Sequence, residues 1–208
     1  MTTPPYWKQA SRELAARDEV MRRLVRRGDG LELGSRGDAF TTLARSMVGQ
    51  QISVKAAQTV WQRLIADLGA MAPAAVLAAD IARLRACGLS GQKAGYILDL
   101  ANHFASGALD PAHWHDVDDE TLIAQLTEVK GIGRWTAEMF LIFYLARPDV
   151  LPIADVGLQR AMRLQYNKGK PLTPARMTRI GKTWAPWRSV ATWYLWRSLD
   201  AAPVTPEA

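Results

Sequence analysis

One cysteine, Cys87, stands among the 208 residues of this chain. No disulfide can close within it, and no Cys-rich zinc or iron–sulfur site can be assembled from it. So little thiol fits a reducing compartment. Histidine is scarce as well. His113 and His115 flank Trp114 with neither helical spacing nor a cysteine partner, so no transition-metal site is expected there. Long apolar runs are missing: the most apolar stretch, Met139 to Ala146, is far too short to span a bilayer. Met1 to Arg17 is polar and lacks the apolar region of a secretion signal. Alternating strand patterns, repeats and long low-complexity linkers are absent too. These absences point to an intracellular, cytoplasmic protein with no membrane partner.

What remains reads as helix after helix. Tyr6 to Asp18 and Glu19 to Arg27 follow Pro4-Pro5, and Gly28, Gly30 and Gly34 break that pattern. Phe40 to Val48 is helical. Ser53 caps a helix whose apolar positions are Val54, Ala57, Val60, Trp61, Leu64 and Ile65. Two short helices follow, Ala74 to Ala78 and Asp80 to Arg85. Ser90 caps Gly91 to Phe104, and Asp118 or Asp119 caps a helix to Val129. Trp135 to Ala146, Val156 to Gln165, a helix opened by Thr173-Pro174, and Trp187 to Leu199 complete the set. Pro203 to Ala208 reads as a frayed tail. The fold class is all-α with short connections.

Lys and Arg number 26 against 20 Asp and Glu, a net charge of +6, which favours a polyanionic partner without identifying one. A sharper signal is the turn Lys130-Gly131-Ile132-Gly133 between two helical patterns. Glycine permits a tight reversal and close backbone approach. The N–H groups opening the second helix lack intrahelical acceptors and carry the positive end of its dipole, which suits a phosphate oxygen. Lys130 and Arg134 flank the turn and add charge. An ordinary helical corner has the same Gly-x-Gly, so the turn alone does not decide. Asp155, after Leu151-Pro152-Ile153-Ala154, is equally two-sided: a helix N-cap by position, and a carboxylate suited to stabilising positive charge on a sugar.

The segment Leu126-Thr127-Glu128-Val129-Lys130-Gly131-Ile132-Gly133-Arg134-Trp135-Thr136-Ala137, followed by Leu151-Pro152-Ile153-Ala154-Asp155, resembles the helix-hairpin-helix DNA glycosylase superfamily. More narrowly, it is similar to the DNA-3-methyladenine glycosylase II family. Leu43 to Val54, Gly88 to Ala94 and Trp184 to Ser189 resemble further segments of that family, in order, so the likeness covers about residues 35 to 200.

The resemblance implies two helical subdomains with a DNA-binding cleft between them, all within one glycosylase unit of 1–208. One subdomain is 34–146, with the hairpin at 121–146. The other combines 1–33 with 147–208. It implies excision of N3- or N7-methylated, cationic purines from double-stranded DNA by a monomer, after base flipping, in base excision repair. Asp155 is the implied catalytic carboxylate. Strand-nicking relatives place a lysine at position 135, where this chain has Trp135, so no lyase activity is expected. Trp135 and Trp196 match aromatic base-pocket positions, and Met139 stands where some relatives have tyrosine. The loop Gly49 to Ser53 matches the one that fills the gap left by a flipped base, through Gln50, Gln51 and Ser53; Gln51 aligns with the wedge. Lys130, Gly131, Gly133, Arg134 and Thr136 are the implied DNA contacts of the hairpin. No cofactor is required. A monovalent cation, Na⁺ or K⁺, is implied at the carbonyls of Thr127, Val129 and Ile132.

Trp61, Trp187 and Trp193 read as core, with Trp184 undecided. Two other readings stay open: a glycosylase for other damaged or mismatched bases, and a non-catalytic damage-binding module that uses the hairpin but not Asp155.

Overall fold

The computed structural model describes residues 3–28 and 37–200. Gly30, Gly34, the boundary expected at 33/34 and the tail Pro203 to Ala208 lie outside the described residues. Among the described residues there are twelve α-helices: α1 (Trp7–Arg17), α2 (Glu19–Arg27), α3 (Ala39–Gly49), α4 (Val54–Leu68), α5 (Pro73–Leu77), α6 (Ile81–Ala86), α7 (Gly91–Ala105), α8 (Asp119–Thr127), α9 (Arg134–Phe143), α10 (Val156–Asn167), α11 (Pro174–Lys182) and α12 (Arg188–Arg197). A 3-10 helix spans Pro111–Asp116, and there is no strand among the described residues. No helix among them is long and apolar enough to cross a membrane.

Short polar side chains set most helix starts. Asp18, Asp38, Ser53, Asp80, Ser90, Asp118, Asp155 and Thr173 each accept the N–H three residues on, as an N-cap does. Several helices are shorter than the sequence suggests, α9 and α12 among them. α9 stops at Phe143 because Ala146 turns left-handed (φ 51°) and the Arg147 N–H closes back on the Leu141 carbonyl at 2.9 Å. α12 begins at Arg188 because Trp187 (φ −117°, ψ 31°) is its non-helical N-cap.

The chain divides into two compact units, one of Met1–Ser35 with Leu141–Ala208 and one of Arg36–Phe140. In the Arg36–Phe140 unit, α3, α5 and α6 pack on α7. An edge-to-face series of rings runs through it: Phe40 to Phe104 at 5.3 Å, Phe104 to Trp114 at 6.2 Å, Trp114 to Phe140 at 5.5 Å. Trp114 is buried while His113 and His115 are exposed. In the other unit, α1, α2 and α10 pack against α12. Trp7 meets Trp193 edge-on at 5.1 Å, and Trp184 is fully buried with its indole N–H on Asp18. Trp184 is therefore core. Trp187 is only half-buried, stacking on Tyr6 and donating to Glu13 Oε2 at 2.6 Å.

Candidate functional site

In the Arg36–Phe140 unit, α7 is the scaffold beneath the hairpin. Lys93, Tyr96 and Asp99 recur every three residues, so they lie along one side of the helix. The Lys93 ammonium donates to the carbonyls of Val48 (2.7 Å) and Gln50 (2.6 Å), closing the C-terminal end of α3. Burial lowers its pKa from the ordinary lysine value. The Tyr96 ring lies directly beneath Gly131, whose φ is 88°; a Cβ there would penetrate the ring. Asp99 Oδ2 accepts the Lys130 backbone N–H at 2.9 Å.

These contacts hold the Lys130–Gly133 turn, with Val129 and Ile132 buried as its anchors. Gly133 is exposed, with open space where a Cβ would stand, so an approaching phosphate meets no side chain there. The flanking cations are engaged within the protein. Arg134 makes a bidentate pair with Glu120 (2.8 and 2.6 Å) and donates from Nε to Glu138 at 3.0 Å. That pairing raises the Arg134 pKa and lowers that of Glu120. Lys130 Nζ lies 3.8 Å from Asp99 Oδ1. Thr136 is 6% exposed, so its side chain faces the core.

Lys93 also shapes the preceding loop. Gln50 is not a free amide: its Nε2 donates to the Gly131 carbonyl at 3.0 Å and ties the loop to the hairpin. Gln51 is exposed with φ 58°, a left-handed conformation that few side chains adopt without strain. Ser53 is the N-cap of α4, accepting the Ala56 N–H at 3.2 Å. Between them Ile52 is 41% exposed, and Val54 is 88% exposed although its spacing suggests core. Both sit at the start of α4, before the helix reaches its buried residues Trp61 and Leu64.

Further along, Trp135 is 48% exposed on α9 and Met139, one turn on, is half-buried. Phe143, a further turn on, was not marked by its sequence context beyond this four-residue spacing.

In the other unit, Asp155 is the N-cap of α10. Its Oδ1 accepts both the Leu158 N–H (2.6 Å) and the Trp196 indole N–H (2.7 Å). The loop before it is folded on itself: the Asp155 N–H donates to the Pro152 carbonyl, and the Gln159 side chain to the Ile153 carbonyl, both at 2.9 Å. Trp196 is half-buried and stacks on Phe143, with ring centroids 5.7 Å apart and planes 13° from parallel. Gly157 lets the indole approach: a Cβ there would lie 3.1 Å from Asp155 Oδ1 and 3.2 Å from Trp196 Cδ1.

The arrangement offers an anion cradle at a helix start and, separately, an oriented carboxylate beside an aromatic pair. The described residues hold no group of three or more His, Cys, Asp or Glu able to bind a metal ion.

A family model described as the HhH-GPD superfamily base excision DNA repair protein matches residues 44–186. The DNA-3-methyladenine glycosylase 1 of Schizosaccharomyces pombe is 33% identical over 172 residues, 81% of this chain and 75% of that protein. Among solved structures, a DNA-3-methyladenine glycosidase from Bacillus halodurans superposes with a TM-score of 0.85 at 35% identity, covering 91% of this chain and 88% of that one. The S. pombe 3-methyladenine DNA glycosylase in complex with abasic DNA gives 0.80 at 31%, covering 95% and 99%.

Proposed function

The chain belongs to the HhH-GPD superfamily of base excision DNA repair proteins and, within it, to the DNA-3-methyladenine glycosylases, and we propose that it hydrolyses the N-glycosidic bond of alkylated purines with Asp155 as its catalytic carboxylate. The observation that carries this reading is the fixing of Asp155 Oδ1 by the Leu158 N–H and the Trp196 indole. As the bond to the base breaks, positive charge builds on the sugar, and a carboxylate held in place stabilises that charge without reorganising. A base methylated at N3 or N7 is cationic and leaves as a neutral molecule, so no strong general acid is needed. Water adds its oxygen to C1′ and its proton passes to the carboxylate and on to solvent.

Trp135 offers the departing base an electron-rich face, worth about 0.5–2 kcal/mol for a cation. Met139 beside it leaves more room than a tyrosine. Trp196 has one face occupied by Phe143, so it contributes to base recognition through its other face and to Asp155 through its N–H.

The hairpin holds a phosphate with backbone N–H groups at Gly131 and Gly133 and at the start of α9. The carbonyls of Thr127, Val129 and Ile132 would hold a monovalent cation, which would supply positive charge beside the bound phosphate. The Val129 carbonyl already accepts the Ile132 N–H at 3.1 Å and keeps its second lone pair for an ion. Gln51 and Ser53, with Ile52 as the apolar element, enter the duplex where the base has left. The protein works as a monomer on double-stranded DNA. With Trp135 where nicking enzymes have lysine, it leaves an abasic site, and borohydride traps no covalent adduct.

The test is release of free bases from methylated DNA, wild type beside Asp155→Asn. Asparagine caps a helix as well as aspartate does, so the variant removes charge and keeps the fold. Methylated purines released by wild type alone support the reading. Near-normal release by the variant would falsify it.

A further inference from the structure

The positive charge of the chain is concentrated in one stretch. Residues 156–199 contain nine Arg and Lys and no Asp or Glu, whereas residues 36–140, which include the hairpin, contain nine basic residues against eleven acidic ones. Of the nine, Arg188 pairs with Asp149 and Arg197 with Asp200. The other seven are all exposed, and none makes an ion pair among the described residues.

Among the described residues, the carboxylates of the same unit are committed elsewhere. Glu13 is held by Arg17 and Trp187, and Asp18 by the Met21 N–H, Tyr166 and Trp184. Glu19 is held by Arg22, and Asp155 by Leu158 and Trp196.

Helix packing places the seven cations outward. α10 buries Leu158, Ala161 and Met162, which turns Arg160 and Arg163 to solvent on the stripe that begins at Val156, 77% exposed and next to Asp155. The turn after α10 carries Lys168 and Lys170. It is held by the Asn167 amide, which donates to the carbonyls of Lys170 (3.0 Å) and Pro171 (2.9 Å). α11 buries Met177 and Gly181, leaving Arg176, Arg179 and Lys182 exposed. Gly181 packs so closely on Leu151 that a Cβ would displace it, so α11 rests on the segment leading to Asp155. The two helices that present the charge also hold the carboxylate.

We propose that the α10–α11 surface is a binding surface for the phosphodiester backbone, separate from the hairpin, and that it supplies most of the salt-dependent attraction between this protein and DNA. It rests on the glycosylase reading only for the identity of the polyanion. The hairpin offers neutral N–H donors and cations already paired with Glu120, Glu138 and Asp99, which suits positioning one phosphate. Seven uncompensated cations displace condensed counterions from DNA, with log K falling against log salt by about 0.9 per phosphate neutralised.

The experiment measures affinity of the full chain for an undamaged fluorescein-labelled duplex from about 50 to 200 mM salt. Wild type is compared with the Arg160→Gln/Arg163→Gln/Arg176→Gln/Arg179→Gln variant and with Lys130→Gln/Arg134→Gln. Circular dichroism melting checks the fold. If the fourfold variant melts early, the α10 and α11 pairs are tested separately. The expected result is a slope shallower by about 2–4 for the fourfold variant and by about one or less for the hairpin variant. A fourfold variant with the wild-type slope, or a hairpin variant that loses more slope, overturns the proposal; a surface built for an acidic protein would give the former. Base release by wild type is read alongside. Its failure with the slope result intact would sink the glycosylase reading and leave this one standing.

Discussion

The indole N–H of Trp196 stands 2.7 Å from Asp155 Oδ1, the same oxygen that caps α10 through the Leu158 N–H. Two donors on one oxygen fix the rotation of the carboxyl group, and the Phe143 stack fixes the indole in turn. Trp196→Phe keeps an aromatic ring against Phe143 and deletes the donor. A hydrogen bond to a charged group is worth about 1.5–3 kcal/mol. Single-turnover base release should therefore fall roughly ten- to a hundredfold, with DNA affinity little changed. An unaltered rate would remove Trp196 from the positioning of Asp155.

Gly157→Ala separates stability from function. Within a helix, alanine is favoured over glycine by about 1 kcal/mol. Here the added methyl would stand 3.1 Å from Asp155 Oδ1 and 3.2 Å from Trp196 Cδ1, so the indole and carboxylate must shift by a few tenths of an ångström. The expected outcome is a melting temperature near wild type with base release several-fold slower. A variant as fast as wild type would show that this geometry has slack.

Much of this site is legible in the sequence where the determinant is local. The caps at Ser53, Ser90, Thr173 and Asp155 follow from a short polar residue before an apolar period, and the tight turn at Gly131 from its glycines. Partners far apart in the chain are not legible. Gln50 reads as a DNA contact until its amide is found on Gly131, 81 residues away. Arg134 reads as a free cation until Glu120 takes it in a bidentate grip. Val54 follows the apolar period of its helix yet is exposed, because it is the first residue of its helix and projects beyond the packed part. Periodicity reports a face, not how far along the helix that face is covered.

At the hairpin, Gly131→Ala meets two penalties. A non-glycine residue at φ 88° is strained by about 1–3 kcal/mol, and the methyl collides with the Tyr96 ring. The variant should lose stability by roughly 2 kcal/mol or more in urea unfolding and bind DNA more weakly. Adding Tyr96→Ala removes the collision but not the strain, so it should restore only part of the DNA affinity. Full restoration would show that the backbone conformation is not what makes glycine necessary.

Lys93 links α7, the Gln50 loop and the hairpin, and its titration gives a signature with a definite sign. Burial lowers its pKa in the folded state below the ordinary 10.5. The folded protein then binds fewer protons at this site than the unfolded chain, between the lowered value and 10.5. Stability therefore rises with pH across that window. The neutral amine still donates to the Val48 and Gln50 carbonyls, so deprotonation relieves the desolvation cost and keeps the brace. Lys93→Met cannot titrate and strands both carbonyls, a loss of about 1–3 kcal/mol at neutral pH. The gap in unfolding free energy between wild type and Lys93→Met should widen as pH rises toward 10.5. Urea unfolding of both proteins at neutral and alkaline pH measures it, with other titrating groups cancelling in the difference. A gap that stays constant or narrows would mean that the ammonium is solvated and that its hold on the loop comes from charge.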